Sequence, residues 1–269
     1  MSALQPADLR HILILKADRL CGDALRHSAH LVFPRATVVT ASRLAEARAA
    51  LSAEVFDLLI TGVVLLDGDV LELLAACTDG LRRVRRVLVV TGRRDPRVLG
   101  SLRALPIAGV FDPLSEGLEA LGEALTTVAT GRVYWSESVP VRLSSRASGP
   151  ASICRTLSPV EQLVFAVLGD GTDDRDAADR LGMTPSSIQT VRRALHRKLG
   201  VQHKGGLVRL AAQYGFVQFT PEGVVRPGFA QLLAACRSSK FRRLRAAEVS
   251  PACAPLRALP SSVSMTDTP

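Results

Sequence analysis

The chain has 269 residues, with 34 Lys and Arg against 25 Asp and Glu and a formal net charge of +9. That length leaves room for two ordinary domains, each able to bury its own core, and the positive balance favours an anionic partner such as nucleic acid. The first apolar run, Ile12 to Leu15, is too short for a membrane span or a signal peptide, and the five scattered cysteines (Cys21, Cys77, Cys154, Cys236, Cys253) form no C-x-x-C pair, so the expectation is a cytoplasmic protein without membrane segment, disulfide frame or zinc site.

Residues 11–130 alternate short apolar runs with helical patterns. The runs are His11–Leu15, Ala36–Thr40, Asp57–Thr61, Val87–Thr91 and Ile107–Phe111. The helical stretches between and after them are Asp23–Leu31, Ser42–Leu51, Asp69–Cys77, Pro96–Leu105 and Leu114–Ala129. Five strands alternating with helices imply a parallel sheet covered on both faces. In such sheets ligands sit at the carboxyl ends of the strands, so the informative residues are those that close or follow each run. His27 and His30 are three apart, but no third metal ligand lies nearby.

Gly131 to Ile153 reads as a connector. Its aromatic start, Val133-Tyr134-Trp135, is expected to pack on the end of the preceding helix, and its Ser, Gly and Pro residues read as flexible.

From Asp173 to Leu199 the pattern is two short helices around a tight turn. Ala177, Ala178 and Leu181 give the first an apolar stripe, and Gly182 follows where a helix likes to stop. Thr184 is the candidate N-cap of the second, with Pro185 at its first position. Ile188, Val191, Leu195 and Leu199 mark its inner face. Gln189, Thr190, Arg192, Arg193, His196, Arg197 and Lys198 occupy the others. Aspartates precede the turn and Arg and Lys follow it, so a polyanion would be steered to the second helix. Helix, glycine turn and capped basic helix form the helix-turn-helix pattern, whose second helix enters a major groove.

Beyond Val217, Gly228 to Glu248 reads as a helix with a basic half (Arg237, Lys240, Arg242, Arg243, Arg245). Pro251 to Pro269 is rich in Pro, Ser and Ala and reads as disordered.

Leu157 to about Val217 resembles the DNA-binding domain of LuxR-type regulators of the NarL/FixJ class. The opening Leu157-Ser158-Pro159-Val160-Glu161 matches the family's L-T/S-P-x-E. Ala177-Ala178-Asp179-Arg180-Leu181, Lys198-Leu199-Gly200-Val201 and Leu207-Val208-Arg209-Leu210-Ala211 match its later motifs. The family often has T-V-K-x-H in its recognition helix, and here Gln189 and Val191 stand where Lys and His are usual. Residues 9–130 resemble a response-regulator receiver of flavodoxin-like (βα)5 topology. In that family an acidic pair follows the first strand, a phosphoacceptor Asp ends the third, Thr or Ser ends the fourth and Lys ends the fifth. The positions here are Lys16-Ala17, Gly62, Thr91 and Asp112. Only Thr91 agrees, so the resemblance implies a pseudo-receiver that keeps the fold and has lost the phosphorylation chemistry; Asp18, Asp67 and Asp69 do not end strands in this register.

The expected organisation is a pseudo-receiver at 1–130, a linker at 131–153, an all-α four-helix LuxR-type domain at 154–217 and a basic extension at 218–269. The resemblance implies a transcription regulator that binds double-stranded DNA as a homodimer, with RNA polymerase or another regulator as a further partner. No residue set supports catalysis, a metal or a cofactor. Ser187, Gln189, Thr190, Arg192, Arg193, Arg197 and Lys198 are the expected DNA-binding residues. Leu207, Leu210 and Ala211, on a last helix at Gly206–Tyr214, are the expected dimer contacts. The competing expectation is an interaction protein that sequesters a partner regulator through the pseudo-receiver.

Overall fold

The structure is a computed structural model that describes residues 9–78, 83–93, 95–139, 153 and 156–239. Its first half is built on five apolar strands, β1 (His11–Leu15), β2 (Thr37–Ala41), β3 (Phe56–Thr61), β6 (Val84–Val90) and β7 (Gly109–Phe111). All pair in parallel, in the order β2-β1-β3-β6-β7, the doubly wound order with its crossover beside β1. Alternate side chains along a strand point to opposite faces. One face carries Leu13, Leu15, Leu59, Val87 and Val89 into a core completed by α2 (Leu44–Ala53), α3 (Val70–Thr78) and α4 (Pro96–Ala104). The other carries Ile12, Ile14, Leu58, Ile60, Leu88 and Val90 against α1 (Arg19–Val32) and α5 (Leu118–Ala129). Burial on both faces explains why these runs are continuously apolar instead of alternating. A two-residue hairpin, β4 (Val64–Leu65) with β5 (Gly68–Asp69), leads into α3.

The connector does not behave as expected. Tyr134 and Trp135 form β8, a sixth parallel strand whose residues pair with Gly109 and Val110 of β7. Gly109 makes this possible, because a Cβ there would stand 2.3 Å from the Tyr134 carbonyl oxygen. The Tyr134 hydroxyl donates to Glu116 Oε2 at 3.0 Å, and the two pull its pKa up to about 12, burial contributing most.

The second half is wound around α6 (Pro159–Leu168), in which Leu163 to Leu168 are all buried. A capping box starts it: Ser158 Oγ accepts the Glu161 N–H, and Glu161 Oε2 accepts the Ser158 N–H at 2.7 Å. Around it lie α7 (Asp174–Leu181), α8 (Pro185–Leu199) and α9 (Lys204–Gln213). This set matches the expected four helices, but the unit does not stop at Val217. An antiparallel hairpin, β9 (Gln218–Thr220) with β10 (Gly223–Val225), leads to α10 (Phe229–Ser239), which packs on α6. Cys236 is 2% exposed, and Phe229, Leu232 and Leu233 join the same core. Arg226 secures the return by donating from Nε to the Ala166 carbonyl and pairing with Asp170. The basic half expected from Lys240 onward, and the tail, lie outside the described residues, as does the Arg237 side chain.

The hairpin and the end of α9 meet the first half at the carboxyl edge of its sheet. Arg97, at the start of α4, is 8% exposed. Its guanidinium donates to the carbonyls of Gly215 and Pro227 and lies 4.6 Å over the Phe216 ring. Arg43 makes a two-pronged pair with Glu222, at 2.7 and 3.0 Å. Arg93 reaches the Gln218 side chain, and the Gly228 N–H donates to Asp69.

Candidate nucleic-acid interface

The turn between α7 and α8 is fixed by local hydrogen bonds. Asp173 caps α7, accepting from the N–H groups of Arg175 and Asp176 at 3.0 and 2.9 Å. Gly182 ends it in the left-handed region (φ 62°, ψ 39°), a conformation that costs glycine nothing. Thr184 Oγ1 accepts the Ser187 N–H at 3.1 Å, and Pro185 starts α8. At the far end Gly200 is again left-handed, and His196 Nδ1 lies 2.7 Å from the Val201 carbonyl oxygen. His196, Arg197 and Lys198 fill the last turn, where positive charge complements the unpaired carbonyls.

Core packing then selects which face of α8 remains outside. Ile188 and Leu195 are 0% exposed, and Val191 packs partly buried beside them. Val191, in the usual place of a His, is therefore a packing residue. Gln189, Thr190, Arg193, Arg197 and Lys198 are exposed, and Ser187 and Arg192 are half-buried. The basic residues differ in what holds them. Arg192 pairs with Asp174 of α7 at 3.0 Å. Lys198 pairs with Glu161 at 2.8 Å and donates to the Thr156 carbonyl at 3.1 Å. Burial raises the Glu161 pKa, but the Lys198 ammonium and the Ser158 N–H and hydroxyl outweigh it, leaving Glu161 below its usual value. Among the described residues Arg193 and Arg197 have no carboxylate partner, so their guanidinium groups remain available to an external anion. The Thr190 hydroxyl donates to the Ser186 carbonyl in its own helix.

A basic groove of about 870 Å³ runs along the end of α8, lined by Arg192, Arg193, His196, Arg197, His203 and Lys204 among others. His203 and Lys204 were not among the expected DNA-binding residues. The signal that could have found them is their position, just past Lys198-Leu199-Gly200-Val201 at the start of the next helix.

The expected dimer contacts are corrected. Leu207 is 1% exposed and Ala211 0%; both face inward on α9 and pack in the core. They cannot meet a partner without unfolding the domain. Leu210 is half-buried and retains an outward surface.

The carboxyl edge of the six-stranded sheet brings Lys16, Gly62 and Thr91 together, at the ends of β1, β3 and β6. A Cβ on Gly62 would stand 3.3 Å from Lys16 Cδ and 3.4 Å from Nζ, so the lysine side chain occupies the space beside Gly62. Ala17 is partly buried against the core. Asp112 is 0% exposed: Oδ1 accepts the Leu114 N–H at 3.0 Å and Oδ2 the Ser138 hydroxyl at 2.7 Å. The other acids are engaged as well. Asp18 caps α1 through the Cys21 N–H, which holds its pKa down. Asp67 accepts the N–H groups of Leu44 and Ala45 at the start of α2. Asp69 accepts from Leu71 and Gly228, and burial raises its pKa against them.

No protein-family model matches the chain. The transcriptional regulatory protein MctR of Rhizobium johnstonii is 32% identical over 94 residues, 35% of this chain and 43% of that protein. The chain thus spans less than half the length of the curated relative it matches. The solved structure of two RcsB dimers bound to two parallel DNAs is similar with a TM-score of 0.52 at 19% identity, covering 76% of this chain and 98% of that one. RcsB of Salmonella enterica serovar Typhimurium, bound to promoter P1flhDC in the presence of phosphomimetic BeF3−, gives 0.52 at 21% identity with the same coverage. The chain has the fold of these response regulators: a flavodoxin-like parallel sheet with helices, followed by a helical domain. Among the described residues no helix is long and apolar enough to cross a membrane.

Proposed function

We propose that this protein is a DNA-binding transcription regulator of the response-regulator type that works without phosphorylation. The observation that carries the reading is α8: a helix capped at both ends and anchored by Ile188 and Leu195, with Arg193 and Arg197 left outside. MctR is named a transcriptional regulatory protein, and the RcsB structures are described with DNA, which supports the same reading. On α8, Gln189 can pair with adenine N6 and N7 and Arg193 with guanine O6 and N7, while the Thr190 methyl can touch a thymine methyl. Ser187, Arg192, Arg197 and Lys198 serve the phosphates, joined by His203 and Lys204. A homodimer on a two-fold site accompanies this, with Leu210 as the apolar contact offered by α9.

Three features of the carboxyl edge support phosphorylation independence. Gly62 has no nucleophile, Lys16 brings a positive charge to the place where a metal would be held, and Asp112 is spent on Leu114 and Ser138. Acetyl phosphate with Mg²⁺ is expected to leave the intact mass unchanged; a phosphoryl adduct would refute this half of the reading. The DNA half is tested by duplex binding at several salt concentrations. Affinity should fall steeply and linearly on a log–log plot, as release of counterions requires. Binding that is absent at low salt would favour a regulator acting through protein contacts alone.

A further inference from the structure

Between the domains, over the carboxyl edge of the sheet, lies an open cleft of about 620 Å³, a volume in the range of small-molecule sites. Its receiver side is formed by Val63, Val64 and Val90, and its other side by Val217 and Phe219 at the foot of the β9–β10 hairpin. The polar side chains in its wall are those of Lys16, Thr91, Arg93, Asp95 and Gln218, the last taken up by Arg93. Arg93 is matched by Asp95, with which it forms an ion pair. Lys16 has no such match in the lining. Among the described residues the only hydrogen bond of its ammonium is a long one, 3.4 Å to the Val90 carbonyl, although an ammonium carries three donors. The Asp18 carboxylate attracts Lys16 through space, but its hydrogen bond goes to the Cys21 N–H at the start of α1 and leaves the ammonium's donors unfilled. Thr91 Oγ1 accepts the Arg93 N–H at 3.2 Å, which leaves its own proton to donate. The glycine at 62 gives the lysine its place, since its ideal Cβ would already lie 3.4 Å from Nζ.

We infer that this cleft binds a small organic monoanion, a carboxylate carried on an apolar body, held by both domains at once. The Lys16 ammonium has donors that no carboxylate in the lining takes up, and the Arg93 guanidinium is already committed to Asp95, so the site suits one carboxylate; a dianion would bring a second negative charge next to Asp95. The valines and Phe219 call for an apolar body. Phe219 is 53% exposed, a costly state for an aromatic side chain that a ligand in the cleft would relieve. The Lys16 ammonium and the Thr91 hydroxyl hold the carboxylate.

The experiment is isothermal titration of the full chain, without DNA, using hexanoate and benzoate, with benzamide as the uncharged counterpart of benzoate. Binding at millimolar concentration or better is expected for at least one acid, with benzamide about tenfold weaker or undetectable. Lys16→Gln, checked for an unchanged circular dichroism spectrum, should remove the preference for acid over amide. Phe219→Ser, on the other domain, should weaken acid and amide alike. Failure of both acids to bind would overturn the inference. So would acid binding that is indifferent to Lys16→Gln, or one that depends on Lys16 but not on Phe219. Because DNA is absent from the titration, none of these outcomes bears on whether α8 binds a duplex.

Discussion

The carboxyl edge of the sheet and the outer face of α8 both carry several charged side chains, and they use them in opposite ways. At the sheet edge nearly every carboxylate is consumed by a backbone N–H or a hydroxyl: Asp18 at α1, Asp67 at α2, Asp69 at Leu71 and Gly228, Asp112 at Leu114 and Ser138. On α8 the capping is done by Thr184 and Gly200, which are uncharged, and two arginines are left over. A site whose charges serve its own fold is a scaffold; a site whose fold is complete without its charges can offer them to another molecule.

The comparison can be broken most severely from the core. Leu207→Ala should cost about 2–5 kcal/mol of stability, because it opens a cavity in the α9–α6 core. Chemical denaturation checks this, and an unchanged midpoint together with a lost oligomer would restore Leu207 as a dimer contact. Next in size, Arg193→Ala should cost about 1–3 kcal/mol on a selected operator and relax preference at one base pair. An equal loss on scrambled DNA would make it a phosphate contact instead. Arg97→Met should leave the Gly215 and Pro227 carbonyls without their donor, a cost of about 1–3 kcal/mol borne by the contact between domains. Small-angle scattering should show a larger radius of gyration, while α8 keeps its affinity for DNA. Lys198→Ala is expected to lower the salt slope by about one for all sequences alike, with a stability loss below about 1 kcal/mol because the Glu161 pair is partly exposed.

The smallest effect is that of pH. Glu161, Asp173, Asp18, Glu46 and Asp67 all have pKa values below the usual carboxylate range, chiefly through the N–H groups they cap and, at Glu161, the Lys198 ammonium. A depressed folded pKa means stabilisation that is present above the unfolded value and lost as pH falls through the folded one. Stability should therefore decline below about pH 4. Asp69, whose pKa is raised by burial, acts in the opposite sense and blunts the decline. Thermal melts from pH 7 to pH 3 would show it, and a midpoint that rises on acidification would contradict the assignment.

Much of this was legible in the sequence, for identifiable reasons. The five main strands announce themselves because burial on both faces demands continuous apolar runs. The turn between α7 and α8 is legible because Gly182, Thr184 and Pro185 each have a conformational role that few residues can fill. β8 is two residues long and exists only through its pairing with β7, which no local pattern encodes. The same holds for the hairpin and for α10, whose apolar residues make sense only against α6. Leu207, Leu210 and Ala211 illustrate a second limit: periodicity says that a helix has an apolar face, but not whether that face meets its own domain or another. Arg97 shows a third, since an arginine at a helix start reads as solvated until its carbonyl acceptors are known.

The burial of Asp112 has a consequence for substitution at that position. Its carboxylate satisfies the Leu114 N–H and the Ser138 hydroxyl, in a segment that β8 has drawn against the sheet. A lysine there would strand the Leu114 N–H and force the Ser138 hydroxyl to turn from donor to acceptor. An aspartate at Gly62 would meet the Lys16 ammonium instead of a metal ion. The two positions thus differ: at Gly62 a cation already stands where a carboxylate could reach it, whereas Asp112 is locked to its neighbours and can be exchanged only together with the segment that folds over it.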